Sequence, residues 1–252
     1  MFSLPADPFD WAFVLLGALI AGFITGFAGF GTALVASGFW FHALPAGMVP
    51  PLVALASVGA QTVGLVAVRS SFDWRRAAPY LIGGVVGVPA GVALLRVASP
   101  ELLKTTVGAF LVMYAAFQLG GAARFAIGQW GGRGADAAVG VGGGFLGGFS
   151  GLSGPLPLIW LQLRGGKSAG QRATYQPFNL VVLALAALGM GISGQIDSQV
   201  LLVSAAATPV TLLGAWTGVK AYAGVGEELF RRVVLCLLLA SGAILLVQNV
   251  MT

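Results

Sequence analysis

Charged residues punctuate this chain at wide intervals, and the stretches between them are almost wholly apolar. None occurs from Trp11 through Val68, a run of 58 positions. Shorter charge-free runs follow at 77–95, 105–123, 137–163, 173–196, 198–219 and 233–252. A helix that spans a bilayer needs about 20 apolar residues, so five of these runs read as single spans. The first is long enough that it must fold back on itself, and its breakers divide it. Segment 1 covers about 9–27 and a Gly-Phe-Gly elbow follows. Segment 2 is short, about 32–44, and ends before Pro45. Segment 3 begins at Pro50-Pro51, where proline suits a first helical turn, and runs to Val68. The run 137–163 is too short for two full spans, yet Gly151, Gly154, Pro155 and Pro157 interrupt it. It reads as a tight pair, segment 6 (about 136–149) and segment 7 (about 155–163), entering and leaving on one side.

Composition agrees with that pattern. The 252 residues are 58% hydrophobic and 8% charged, with mean hydropathy +0.93, whereas a soluble domain carries roughly 25% charged residues. The chain belongs in a lipid bilayer. Its net charge of +5 is scattered over short loops, which argues against a nucleic-acid partner. Cys236 is the only cysteine, so no intrachain disulfide is possible. Residues 1–11 hold Asp7 and Asp10 but no Lys or Arg, and so lack the basic start of a cleaved signal peptide.

Charge sidedness sets the orientation, because Lys and Arg accumulate in cytoplasmic loops. With ten segments and the N-terminus outside, the inner loops hold Arg69, Arg75, Arg76, Arg124, Arg133, Arg164, Lys167, Arg172, Lys220, Arg231 and Arg232. Only Arg96 and Lys104 of the 13 basic residues then lie outside. Reading 137–163 as one span would reverse everything after it, so the pair is preferred, and both termini are expected outside.

The chain also repeats itself. Gly22-Phe-Ile-Thr-Gly-Phe-Ala-Gly-Phe-Gly-Thr32 returns as Gly144-Phe-Leu-Gly-Gly-Phe-Ser-Gly-Leu-Ser-Gly154. Gly87-Val-Pro-Ala-Gly91 matches Gly214-Ala-Trp-Thr-Gly218, Glu101-Leu-Leu-Lys104 matches Glu228-Leu-Phe-Arg231, and Asp73 matches Asp197. The expected fold is therefore all-α and integral to the membrane, with two five-helix repeats, 9–119 and 136–252, joined by a cytoplasmic linker at 120–135. Five is odd, so the copies are expected in opposite orientations. Inverted repeats with interrupted helices are the architecture of many secondary transporters, whose sites lie between the repeats near the midplane.

The doubled Gly-rich elbow, the second copy ending in Ser153-Gly154-Pro155, and the stretch Gln171-Arg-Ala-Thr-Tyr-Gln-Pro-Phe-Asn179 resemble the TauE/SafE sulfite-exporter family over roughly 13–250. That resemblance implies a transporter in the bacterial inner membrane that exports a small sulfur-containing oxyanion, sulfite or a small organosulfonate.

An oxyanion in hydrocarbon needs oriented donors in place of water. Helix N-termini supply unpaired N–H groups and partial positive charge, and segments 2 and 7 both start immediately after an elbow. Glycine permits positive φ and close approach to a ligand. The candidate binding residues are accordingly Gly29, Gly31, Thr32, Ser150, Gly151, Ser153 and Gly154, joined by Gln61 in segment 3 and by Gln176 and Asn179 on one face of segment 8. For Gly87, Gly91, Gly214 and Gly218 helix packing is the better reading. Arg172 reads as an interfacial anchor and His42 as an interfacial residue. All eight acids fall at expected segment ends or in loops, so no mid-membrane carboxylate is available as a proton carrier. One histidine and one cysteine cannot build a zinc site or a hydrolase triad, and nothing calls for a cofactor. The competing readings are a passive anion channel or uniporter on the same scaffold, and a membrane scaffold protein. Apolar Gly-x-x-x-Gly faces permit a homodimer.

Overall fold

The structure, a computed structural model, describes residues 7–68, 74–121, 127–128, 130–165, 168–221 and 227–250. Arg69, Asp73, Arg124 and Lys167, which enter the charge argument, lie outside them, as do the side chains of Glu228, Arg231 and Arg232.

Ten α-helices follow one another with no strand among the described residues: α1 (Pro8–Ala28), α2 (Thr32–Ala43), α3 (Val49–Val68), α4 (Trp74–Val97), α5 (Pro100–Leu119), α6 (Gly132–Ser150), α7 (Pro155–Arg164), α8 (Ser168–Ile192), α9 (Ser198–Ala221) and α10 (Glu227–Val250). A 3-10 turn at Ala46–Met48 leads into α3, which therefore starts one residue before the paired prolines. Six helices are long and apolar enough to cross a membrane: α1, α3 with its leading turn, α4, α5, α8 and α9. The helices α2 and α7, of 12 and 10 residues, reach only about 18 and 15 Å at 1.5 Å per residue, about half a hydrocarbon core. Local chemistry fixes several starts. The Asp197 carboxylate accepts from the Val200 N–H at 2.9 Å, and the Ser99 hydroxyl oxygen from the Leu102 N–H at 3.2 Å, each satisfying an otherwise orphaned donor.

One boundary corrects the sequence reading. Helix α6 begins at Gly132, inside the stretch taken for a linker, and Asp136 is a buried residue of its second turn rather than a helix end. The Asp136 carboxylate accepts from the Tyr80 hydroxyl at 2.6 Å and the Trp160 indole at 2.8 Å, and pairs with Arg164 at 3.3 Å. Those contacts tie the start of α6 to α4 and α7, and so extend the helix through glycines whose intrinsic propensity opposes it.

The packing follows the repeat. Helix α1 lies against α9 and α4 against α6, with backbone touching backbone. A Cβ added to Gly22 or Gly26 would stand 2.1 or 2.0 Å from the carbonyl oxygens of Thr211 and Ala215. Added to Gly144 or Gly148 it would stand 2.2 or 2.4 Å from those of Gly84 and Val88. From the other side, Gly87 and Gly91 abut Val141 and Phe145, as Gly214 and Gly218 abut Leu19 and Phe23. Register rises in step along both pairs, so the partners run parallel. The packing reading of those four glycines holds, and it also claims the first half of each elbow motif. Remaining contacts exchange in the same way: α3 meets α9 as α8 meets α4, while α3 meets α8 and α5 meets α10. Even the stacked ring pairs repeat, Phe23–Phe27 and Phe145–Phe149 both at 6.2 Å.

Candidate functional site

Each elbow is built by glycine conformation. Gly29 (φ 83°) ends α1 and Gly31 (φ 115°) precedes α2, leaving only Phe30 between two left-handed residues. The Gly29 N–H closes on the Thr25 carbonyl at 2.7 Å, and the Thr25 and Thr32 hydroxyls are hydrogen-bonded across the turn. At the second elbow Gly151 (φ 79°) ends α6, with its N–H on Gly147 O and that of Leu152 on Leu146 O, the left-handed C-terminal motif that glycine favours. Gly154 differs. Its φ is −76°, and glycine is needed there for space, since a Cβ would lie 2.7 Å from the Asn179 amide nitrogen.

The two elbows meet. Gly31 and Thr32 of the first, and Gly151, Ser153 and Gly154 of the second, line one cavity together with Gln61 of α3 and Asn179 of α8. The Ser153 hydroxyl donates to Asn179 Oδ1 at 3.1 Å. Three candidates lie off this cavity. The Ser150 hydroxyl turns back to Leu146 O at 3.0 Å. Gly29 faces α8 instead, where the Gln176 amide donates to its carbonyl at 3.4 Å.

Helix α8 thus serves both elbows, Gln176 the first and Asn179 the second. Arg172 joins Gln176: its guanidinium reaches Phe27 O at 3.4 Å, and the Tyr175 hydroxyl donates to Ala28 O at 2.8 Å. Arg172 therefore supports the carboxyl end of α1, where a cation is favoured. The corresponding end of α6 is apolar, with Gly151 against Val53 and Pro50.

Sequence reasoning missed Ser57, Phe30 and Leu183, which also line the cavity. The signal for Ser57 was present: carrying the elbow register along α3 and α8 pairs Ser57 with Asn179 and Gln61 with Leu183. Ser57 Oγ and Gln61 Oε1 are buried and find no hydrogen-bond partner among the described residues. Phe30 is held edge-on between Tyr114 at 6.3 Å and Tyr175 at 5.9 Å.

The helix starts are unequal donors. In α2 Thr32, Ala33 and Leu34 line the cavity, and their N–H groups precede the first intrahelical bond, Val35 N on Gly31 O. In α7 Pro155 and Pro157 have no N–H, so that start contributes dipole more than donors. The free space is small, about 10 Å³ at the centre of a water-sized sphere, room for about one water. What surrounds it is a neutral, donor-bearing lining: two helix N-termini, hydroxyls, two amides and no ionisable side chain among the lining residues. Such a set can hold an anion without a fixed counter-charge.

Neither a curated protein nor a solved structure matches this chain. The profile described as sulfite exporter TauE/SafE matches residues 14–245, which takes in both elbows, all the cavity residues and eight complete α-helices, α2 to α9. With multiple apolar helices long enough to span and a family match over nearly its whole length, this chain is a multi-pass membrane protein of the TauE/SafE sulfite-exporter family.

Proposed function

We propose that the protein is a secondary carrier exporting a small sulfur-containing oxyanion, sulfite or a small organosulfonate, from the bacterial cytoplasm, through the cavity between its elbows. The observation that carries this reading is the convergence of both elbows on unpartnered buried polar groups. A buried polar group without a partner costs about 1–3 kcal/mol, and Ser57 and Gln61 recover that cost when a water or substrate fills the cavity. The Ser57 hydroxyl rotates and the Gln61 amide can present its N–H₂ end, so both become donors beside the start of α2. That helix end favours an anion by about 0.3–2 kcal/mol.

The two five-helix units are read as inverted repeats. Parallel registers in α1–α9 and α4–α6 support this, since a helix and its partner from the other unit run the same way only if the units are oppositely inserted in a ten-segment path. A midplane site on the pseudo-two-fold axis follows, with the N- and C-termini periplasmic. Constriction to about one water suits a closed state of such an alternating-access carrier. Phe30, between two left-handed glycines, is placed to clear the cavity when the first elbow moves.

Counterflow in proteoliposomes tests the proposal. Loaded sulfite or a small sulfonate should accelerate uptake of labelled substrate from the other side, with saturation. Flux that never saturates and shows no trans-stimulation would instead establish a passive uniporter, and no flux of any of these anions would remove the reading.

A further inference from the structure

A second cavity lies at the other end of the α6–α7 hairpin, and its chemistry is the reverse of the first. It offers about 150 Å³ on the same measure and is lined by Arg75 and Arg76 of α4, Tyr80, Arg133 and Asp136 of α6, and Arg164 of α7. Four guanidiniums thus face one carboxylate. Asp136 is already taken up by Tyr80, Trp160 and Arg164, and Arg164 donates further to the carbonyls of Trp130 and Gly132 at 3.0 and 2.7 Å. That buried framework holds the floor. Arg75, Arg76 and Arg133 are exposed at the rim. Because α4 and α6 run parallel, both begin here, and two helix N-termini add their partial positive charge to the same space.

The repeat does not carry this cluster. Carried through the repeat, Asp136 corresponds to Val14, Arg164 to His42, Tyr80 to Ala207 and Arg133 to Trp11, so the sister position has no comparable set. Its depth is also marked. Trp74 and Trp130 are 64% and 71% exposed at this end, and Trp130 packs on Trp160. Exposed tryptophans sit at headgroup level, where basic pockets between helices take anionic lipid headgroups.

We infer that this cavity is a second anion site, distinct from the elbow cavity, for a phosphate-type oxyanion presented at the membrane surface, as a phospholipid headgroup or as free phosphate. One length of α7, about 15 Å, separates the two, and the inference is independent of what the elbows carry.

The test uses the full chain in detergent, titrated with phosphatidylglycerol, phosphatidylcholine or inorganic phosphate. Native mass spectrometry reads retention and thermal unfolding reads stabilisation. Phosphatidylglycerol should be retained and should raise the midpoint, with phosphatidylcholine doing neither. Arg76→Gln with Arg133→Gln should weaken that binding about thirtyfold, the loss of two surface arginines, while Arg96→Gln at the far end of α4 leaves it unchanged. Stabilisation by phosphate that also displaces the lipid assigns the site to a free anion, and response to lipid alone assigns it to a headgroup. Equal retention of both lipids with no response to phosphate overturns the inference, as does wild-type binding by the double variant.

Discussion

Ser153 and Asn179 join the second elbow to α8 through a hydroxyl–amide hydrogen bond of 3.1 Å at the wall of the central cavity. Both are buried, so removing either strands the polar group of the other. Asn179→Ala should cost about 1–3 kcal/mol through the stranded hydroxyl and lower flux at least about tenfold. Ser153→Ala should cost nearer 1 kcal/mol. Thermal unfolding and counterflow on the two purified variants check the order.

Under the proposed function Ser57 and Gln61 should invert the usual relation between stability and activity. Ser57→Ala and Gln61→Leu each remove an unpartnered buried polar group, so the unfolding midpoint should hold or rise, by up to about 1 kcal/mol of stability, while transport falls. Gln61→Leu also makes the wall match Leu183 across the cavity. A variant that transports normally would detach these residues from the substrate.

Gly26 and Gly59 separate backbone contact from ordinary packing. A Cβ on Gly26 would stand 2.0 Å from a main-chain oxygen of α9, whereas on Gly59 it meets only side-chain atoms, a Leu212 methyl at 3.0 Å and the Thr208 methyl at 3.6 Å. Gly26→Ala should destabilise by about 3 kcal/mol and reduce the amount of folded protein. Gly59→Ala should be tolerated. Detergent-solubilised yield and thermal midpoint give the comparison.

Asp136→Ala leaves the Arg164 guanidinium, 7% exposed, without its carboxylate. Breaking a buried pair from one side costs about 3–5 kcal/mol, so this variant should unfold far earlier than Arg133→Gln, which alters only an exposed rim residue. Thermal unfolding of the pair of variants decides it.

Much of this architecture was legible because backbone approach and positive φ demand glycine, and the repeat shows it at both copies: Gly22 and Gly144, Gly29 and Gly151. What escaped was substitution of one side chain for another of the same use. Ser57 and Asn179 occupy equivalent places with different polar groups, so a search for identities passes over them. Ser150 was misassigned to the cavity because a serine hydroxyl that bonds back one helical turn leaves no trace in composition. Asp136 was taken for a helix end because Gly131-Gly132-Arg133-Gly134 reads as a linker. Only the contacts from Tyr80 and Trp160 explain why a helix forms there.

The glycine seams have a mechanical consequence. Backbone that touches backbone cannot slide without collision, so α1 is bound to α9 and α6 to α4 more tightly than either is bound to most of its own half of the sequence. Under the proposed alternating access the pieces that rock are therefore hybrids: each elbow travels with a long helix donated by the opposite half. Spin labels on α1 and α9 should keep a constant separation through a transport cycle, while labels on α1 and α6 change theirs.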